Sequence, residues 1–231
     1  MTTLIYVVTY SISLGDLILD LGCGTGNLSV AIAEKIGAKG KVVAVDPDKH
    51  RVAVAKSTFG QVENIEFKEG SAEILPCEKS YFDAVFMNYV LHWIEDKKNA
   101  LRNIHKVLKS GGRLAMQFPF FFPSIVEKVL IELNPEVNFH KINDKAYFED
   151  LEKIESYCKE AGFASIESTE FNHVLNYDLS SFLELLSASF HGVFDMDQIK
   201  EEKLDEFKMY LDEEGRVFDK LLVGVIIATK P

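Results

Sequence analysis

"LILDLGCGTGNLSVAIAEKIG", residues 17–37, passes from an unbroken apolar run through three glycines into a segment with helical spacing. The run Leu17–Leu21 has no polar alternation, which predicts a strand buried on both faces. Gly37 then marks the helix stop. A strand-glycine-helix turn bares backbone N–H groups at a helix start, an arrangement that normally suits a phosphate. The details argue otherwise. Gly22, Gly24 and Gly26 give G-x-G-x-G, whereas the dinucleotide fingerprint needs its third glycine where Asn27 stands. No Lys-Ser/Thr pair follows, so a P-loop is excluded. Asp20 closes the strand beside the place a pyrophosphate would fill, and a carboxylate there repels phosphate and attracts a cation.

The ligand expected over these glycines therefore carries positive charge. S-adenosylmethionine (SAM) has an ammonium, a sulfonium and a ribose with two hydroxyls. A ribose predicts a second carboxylate at the next strand end, because a carboxylate accepts hydrogen bonds from both hydroxyls. Asp46 in "KVVAVD", residues 41–46, is in that place. Enzymes that use NAD also carry an acid here, so Asp20 discriminates and Asp46 does not.

Length and composition agree with a globular enzyme. A chain of 231 residues suits one large domain, and 47% apolar with 26% charged residues suffices for a full core. The formal net charge of −11 argues against a nucleic-acid or anionic-membrane partner. The acidic stretch "DQIKEEKLDEFKMYLDEE" mixes both signs and reads as a solvated helix face. Cys23, Cys77 and Cys158 form no CxxC pair or metal spacing, so no metal is expected and the cytoplasm is the expected location. "TTLIYVVTYSISL" near the start is too short for a membrane span and lacks a basic flank, so it reads as a strand or packed lead-in.

Strand and helix candidates alternate along the first half. Strands are expected at 17–21, 41–46, 64–70, 82–88 and 113–118. Helices are expected after Asn27, from Pro47 through "DKHRVAVAKSTFG", and from about Asp96 to Lys109, ending at "SGG". That rhythm predicts an α/β chain with a mostly parallel, doubly wound sheet. Beyond Phe118 the pattern loosens. A helix is expected from Pro123, another from about Tyr147 to Ala161, and a long strand over "SIESTEFNHVLNY". A helix capped by Asp178 follows, then the acidic helix and a final strand, "KLLVGVIIATK". No linker or repeat interrupts the chain, so one domain is expected, with residues 14–118 as donor-binding core and 119–231 as acceptor-side helices and strands.

The ordered motifs "LDLGCGTG", "VVAVD", "GSAEILP", "FDAVFMNYVLHWI" and "LRNIHKVLKSGGRLAM" resemble those of the class I SAM-dependent methyltransferases, in particular the small "type 11/25" group. "NYVLHWIED" and the C-terminal half are most similar to insect juvenile hormone acid methyltransferases, which esterify sesquiterpenoid acids. Trans-aconitate methyltransferases are a more distant resemblance. The resemblance implies a Rossmann-like sheet of about seven strands, antiparallel at its last strand, with helical cap insertions. It implies S-adenosyl-L-methionine as methyl donor and S-adenosyl-L-homocysteine as product. It carries Asp20, Gly22, Gly24 and Gly26 to the methionine part, Asp46 to the ribose, Ser71 and Ala72 to the adenine edge, and the backbone of Asn88 to the sulfonium. Cys23, within the first motif, and Pro47, directly after the second, complete the expected cofactor-binding set. Ser71 stands where the family usually has an aspartate, which implies weaker binding by about 1 kcal/mol, a typical hydrogen bond. Only Met1–Asp16 precede the first strand, so a shortened or rebuilt cap is expected there.

At the acceptor, Trp93 and His92 are the candidate catalytic residues. The resemblance gives Trp93 the acceptor's carboxylate, and its indole N–H suits that role. His92 suits a base for a phenol or alcohol, or a structural role. A carboxylic acid is already ionised at neutral pH and needs no strong base. Phe120, Phe121 and Phe122, with Phe182, Leu186 and Phe190, are candidates for an apolar pocket or for ordinary core. The expected function is carboxyl O-methylation of a small apolar, isoprenoid-like acid. The alternatives are N-, C- or hydroxyl methylation of another small molecule, or a SAM-binding scaffold with little activity.

Overall fold

A computed structural model describes residues 12–133, 145–190, 207–208 and 211–231. The acidic stretch after Asp195 and most of the N-terminal lead-in lie largely outside the described residues. The sheet has seven strands: β1 (Leu17–Leu21), β2 (Lys41–Asp46), β3 (Ile65–Glu69), β4 (Phe82–Asn88), β5 (Leu108–Pro119), β6 (Ile166–Asp178) and β7 (Arg216–Thr229). Their order is β3-β2-β1-β4-β5-β7-β6, and the pairs among the first five are parallel. Six helices accompany them among the described residues: α1 (Asn27–Ile36), α2 (Lys49–Phe59), α3 (Lys97–Val107), α4 (Ser124–Leu133), α5 (Leu151–Ala161) and α6 (Leu179–Ser189).

The backbone pairing fixes the direction of β7. Gly111 N donates to Lys230 O and Lys230 N to Gly112 O, while Phe120 N donates to Leu222 O. The start of β5 thus meets the end of β7, which makes the pair antiparallel. The same pairing corrects the sequence reading, which ended a helix at "SGG" and began the strand at 113. Residues 110–112 belong to β5 because a strand more than 100 residues away supplies their hydrogen bonds.

Two compact units make up the chain. The first comprises residues 1–118, 149–170 and 224–231. Its core lies between one face of the sheet and the helices α1 and α2. Ile18, Val42, Ala44, Ala84, Phe86 and Ala115 meet Ile32, Ala33, Ile36, Val52 and Ala55 there. On α1 the buried positions Ser29, Ile32, Ala33 and Ile36 follow the i, i+3, i+4, i+7 rule that makes one helical stripe. The second unit comprises residues 119–148 and 171–223. Its described core includes Ile125, Val129 and Leu130 of α4 and Phe182, Leu183 and Leu186 of α6. The start of α4 is held at a distance along the chain, with Ile125 N donating to Asp219 Oδ2 at 3.2 Å.

Helix starts follow side-chain caps more closely than apolar spacing. Asp150 accepts from Lys153 N at 2.7 Å, so α5 opens at Leu151 and not near Tyr147. Asp178 caps α6 as expected, accepting from Ser181 N. Pro47, expected to open the second helix, lies outside it and is exposed. Asp48 is the cap, accepting from His50 N at 2.8 Å and Arg51 N at 3.2 Å. Asp48→Ala is therefore expected to cost about 1 kcal/mol in urea denaturation. Pro47→Ala should stay within about 0.5 kcal/mol, as for surface sites without special contacts.

Candidate functional site

The expected site residues gather at the C-terminal ends of β1 to β4, inside the first unit. Asp20 ends up 1% exposed, one residue before the end of β1. Its Oδ2 accepts from Ser29 Oγ at 2.6 Å, a bond sent down from the first turn of α1. Burial pushes its carboxyl up to about 6; the Ser29 bond opposes the rise and the charge of Asp46 adds to it. No cation is among these influences.

Asp46, at the tip of β2 and 2% exposed, is a structural anchor as well as an open acid. Its Oδ2 accepts from Gly24 N at 2.9 Å and its Oδ1 from Asp48 N at 2.9 Å. The backbone of β2's end ties down both neighbouring loops. Gly22 N and Cys23 N donate to Val45 O at 2.7 and 3.0 Å, and Gly70 N donates to Asp46 O at 3.1 Å. A carboxylate offers about four lone-pair sites, so two backbone bonds leave Asp46 capacity for a ligand's hydroxyls.

The three glycines do different work. All have positive φ: 78° at Gly22, 55° at Gly24 and 93° at Gly26. A Cβ at Gly22 would stand 2.1 Å from Val90 Cγ2, and one at Gly26 would press on the Phe67 and Phe59 rings. At Gly24 a Cβ would meet nothing within 4 Å. The first and third glycines thus serve packing, and the middle one keeps its surroundings open. Gly26 also leaves α1 without a side-chain cap, so its first N–H groups are not claimed by a capping side chain. Cys23 is buried, with its thiol pushed well up by burial first and then by Asp20 and Asp46, which leaves it un-ionised.

Ser71 and Ala72 follow β3 directly, Ser71 half-buried and Ala72 buried. Their loop is clamped by Asn103 of α3, whose Nδ2 donates to Ala72 O at 3.3 Å and Glu73 O at 2.8 Å. Asn88 ends β4, and Tyr89 after it takes a left-handed φ of 56°. That conformation is costly for a tyrosine, by about 1–2 kcal/mol, and such strain collects at functional sites. The turn it makes delivers Val90 against Gly22. Trp93 and His92 sit in the single turn Leu91–Trp93, with ring centroids 4.7 Å apart. Trp93 is half-buried and His92 is 5% exposed. Burial, then the charge of Lys97, lowers the imidazole to about 3, so it stays neutral across the working pH range. A base that weak holds almost no proton near neutrality, which fits the structural role that the sequence also allowed for His92.

The aromatic stretch after β5 belongs to the second unit. Phe122 packs edge-on against Phe148 and Phe190, with centroids 5.0 and 5.5 Å away. Phe182, Leu186 and Phe190 are buried, and of this group Phe121 alone is exposed. Phe182 and Phe190 are thus core within their own unit, while Phe120 and Phe122 are half-buried. Among the described residues no cluster of His, Cys, Asp and Glu is arranged to hold a metal, and no helix is long and apolar enough to cross a membrane.

Sequence reasoning missed Ser29, Asn103, Val90 and Gln117. Ser29 left a trace as the one hydroxyl on an otherwise apolar helix stripe. Asn103 and Val90 left none, because each acts on a partner far along the chain. Gln117, in an apolar strand, is fully buried, and its Oε1 and Nε2 have no hydrogen-bond partner. Asn88 Oδ1 is likewise buried and unpaired.

Known proteins share this chain's features. A family model described as a methyltransferase domain matches residues 19–116. A demethylmenaquinone methyltransferase of Lactococcus lactis is 31% identical over 176 residues, which cover 67% of this chain and 69% of that protein. A chloroplastic 2-phytyl-1,4-beta-naphthoquinone methyltransferase of Arabidopsis thaliana is 32% identical over 171 residues, 65% of each chain. The chain thus spans about two thirds of these relatives' own length. The structure of a Haemonchus contortus phosphoethanolamine N-methyltransferase, solved with S-adenosylhomocysteine, shares the fold. Its TM-score is 0.66 at 21% identity, covering 99% of this chain and 52% of that one.

Two outcomes test this geometry. Gly22→Ala should strip several kcal/mol from the fold, since a positive φ and a clash act together. Gly24→Ala should cost only about 1–2 kcal/mol, the left-handed backbone term; thermal melts of both variants measure the difference. Asp20 binds its proton more tightly in the folded chain than in the unfolded one, where its value is near 3.8. Its contribution is therefore full below about pH 4 and is lost as pH rises through about 6, by on the order of 3 kcal/mol. Asp20→Asn should flatten that part of the stability profile in urea titrations at pH 4 to 8.

Proposed function

Because the chain belongs to the class I SAM-dependent methyltransferases, we propose that it methylates a ring carbon of an apolar, quinol-type small molecule. The observation that carries this reading is the likeness, at 31–32% identity, to two relatives named for demethylmenaquinone and a naphthoquinone. It displaces carboxyl methylation as the first expectation, and a link to juvenile hormone acid methyltransferases rests on the motif resemblance alone.

The site's residues suit S-adenosylmethionine. Asp20 is a buried carboxylate raised to about 6 with no cation beside it, so an ammonium would relieve its burial. Asp46 has free capacity for the ribose hydroxyls, and Gly24 leaves room where a side chain would intrude. Ser71 and Ala72, in the loop clamped by Asn103, are assigned to the adenine edge. Asn88 stands at the strand end assigned to the sulfonium. When bound, the donor supplies an electrophilic methyl group on positively charged sulfur. What the chain contributes is alignment and exclusion of water. Fixing acceptor and donor in line removes much of the entropic barrier, and a dry site favours a reaction in which opposite charges vanish.

Proton removal falls outside His92's reach, since burial holds its imidazole near 3. A quinol acceptor must then reach the site already ionised or lose its proton to solvent. Phenolic groups ionise near pH 10, so log kcat/KM should climb by about one unit per pH unit from 7 to 9. The same neutral His92 favours a second reading, methylation of an isoprenoid acid, because a carboxylate needs no base. That reaction would be flat over the same interval. Incubation with methyl-labelled SAM, a reduced short-chain prenylnaphthoquinol and a farnesoic-type acid separates the two. Label in the naphthoquinol ring, with a rising pH profile, is the expected result. Label only in a methyl ester, with a flat profile, would replace the first reading by the second.

A further inference from the structure

The register of the sheet places four polar side chains on one face. Side chains two apart on a strand share a face, and in-register neighbours on parallel strands share it too. Ile18 and Asp20 pair with Val42 and Ala44 of β2, and with Ala84 and Phe86 of β4. Asp46 and Asn88 continue those strands by two residues on the same face. Asn88 pairs with Gln117 just as Phe86 pairs with Ala115. Above the apolar row Ala44, Phe86 and Ala115, the face therefore carries Asp46, Asn88 and Gln117, with Asp20 one step lower.

Two of the four are anchored: Asp20 by Ser29, and Asp46 by Gly24 and Asp48. The other two present unpaired atoms. Gln117 is 0% exposed, with neither Oε1 nor Nε2 hydrogen-bonded, and Asn88 Oδ1 is buried and unpaired. Leaving three polar atoms unmatched weakens the ligand-free fold, and an apolar residue of similar shape at Gln117 would avoid the loss. Such atoms have an explanation if a ligand satisfies them. Gln117 lies two strands beyond Asp20, on the side away from Asp46. The donor's ammonium and ribose are assigned to those two acids, which leaves Gln117 on the acceptor's side.

The unmatched atoms also specify the ligand. Asn88 Oδ1 and a carboxamide oxygen of Gln117 require hydrogen-bond donors, and Gln117 Nε2 requires an acceptor. Reversing the Gln117 amide leaves this set unchanged, since both its atoms are unpaired. A carboxylate only accepts, so it would match the amide N–H and leave both oxygens unsatisfied. A hydroxyl donates its one proton to one of the oxygens and accepts from the amide N–H, so it leaves one oxygen unmatched where a carboxylate leaves two. We propose that Gln117 and Asn88 form the polar subsite that reads a hydroxyl on the methyl acceptor, which selects hydroxylated rings over carboxylates. This inference rests on the quinol reading of the acceptor, and it makes Gln117 a specificity residue outside the five motifs' usual donor contacts.

Calorimetric titration in the presence of S-adenosylhomocysteine tests this without turnover. The probes are a 2-prenyl-1,4-dihydroxynaphthalene under reducing conditions and its dimethoxy analogue, which keeps the carbon but cannot donate. The wild-type chain should prefer the dihydroxy form at least tenfold, and Gln117→Leu should shrink that preference to within about twofold. Gln117→Leu should also melt no lower than wild type and keep its affinity for S-adenosylhomocysteine. Three results would overturn the proposal: equal binding of both probes to wild type, an undiminished preference in Gln117→Leu, or a lowered melting point with parallel loss of nucleoside binding. Preferential dihydroxy binding without methyl transfer would remove the C-methylation reading and leave the subsite standing.

Discussion

Everything at the sheet's C-terminal edge depends on a carboxylate, Asp20, buried near the tip of β1 and bonded to the hydroxyl of Ser29. Desolvation alone would drive such a group toward its neutral form, and Asp46 nearby makes ionisation harder still. A fold does not gain stability from this arrangement. In the proposed reading it gains a site whose electrostatics a cation would complete, beside a glycine turn kept open at Gly24. A phosphate at the same place would meet two negative charges. The same turn in a nucleotide-binding protein can be almost identical in backbone and opposite in meaning, because the charge on one strand-end residue reverses the sign of the preferred ligand.

Around that carboxylate the chain invests in rigidity. Asp46 and the backbone of Val45 and Asp46 receive N–H groups from Gly22, Cys23, Gly24, Asp48 and Gly70. The end of β2 thus acts as a common post for the loops after β1, β2 and β3. Asn103 adds a second tether to the last of these from α3. Catalysis by alignment needs such fixed loops, since a displacement by a fraction of an ångström at the donor spoils an in-line geometry. A neutral His92 is in keeping with the proposed mechanism, in which the chain aligns and the acceptor's own ionisation supplies the nucleophile.

Much of this was legible in the sequence. Buried parallel strands declare themselves through runs such as "LILDL" and "KVVAVD", and their ends locate Asp20 and Asp46 without any coordinates. The glycine spacing located the turn, yet it could not say that Gly22 and Gly26 yield to Val90 and Phe67 while Gly24 alone stays open. Those distinctions depend on residues 40 or more positions away. The strand assignment of residues 110–112 was hidden for the same reason, since its partner is Lys230. The sequence left His92 between a base and a structural role, because a histidine's proton affinity is set by burial and by Lys97, neither of which a motif records. Gln117 looked like an ordinary interruption in an apolar strand. Only register and burial together reveal that it stands beside Asn88 with nothing to bond.

The central claim is electrostatic, and nucleoside affinity as a function of pH reaches it most directly. Calorimetric titration of S-adenosylmethionine should give a dissociation constant that is flat above about pH 7 and weakens as pH falls through 6, where Asp20 takes up its proton. In Asp20→Asn the affinity should be lower at neutral pH and nearly independent of it. An affinity that strengthens on acidification, or a chain that passes over S-adenosylmethionine and retains a nucleoside diphosphate, would contradict the account at its root.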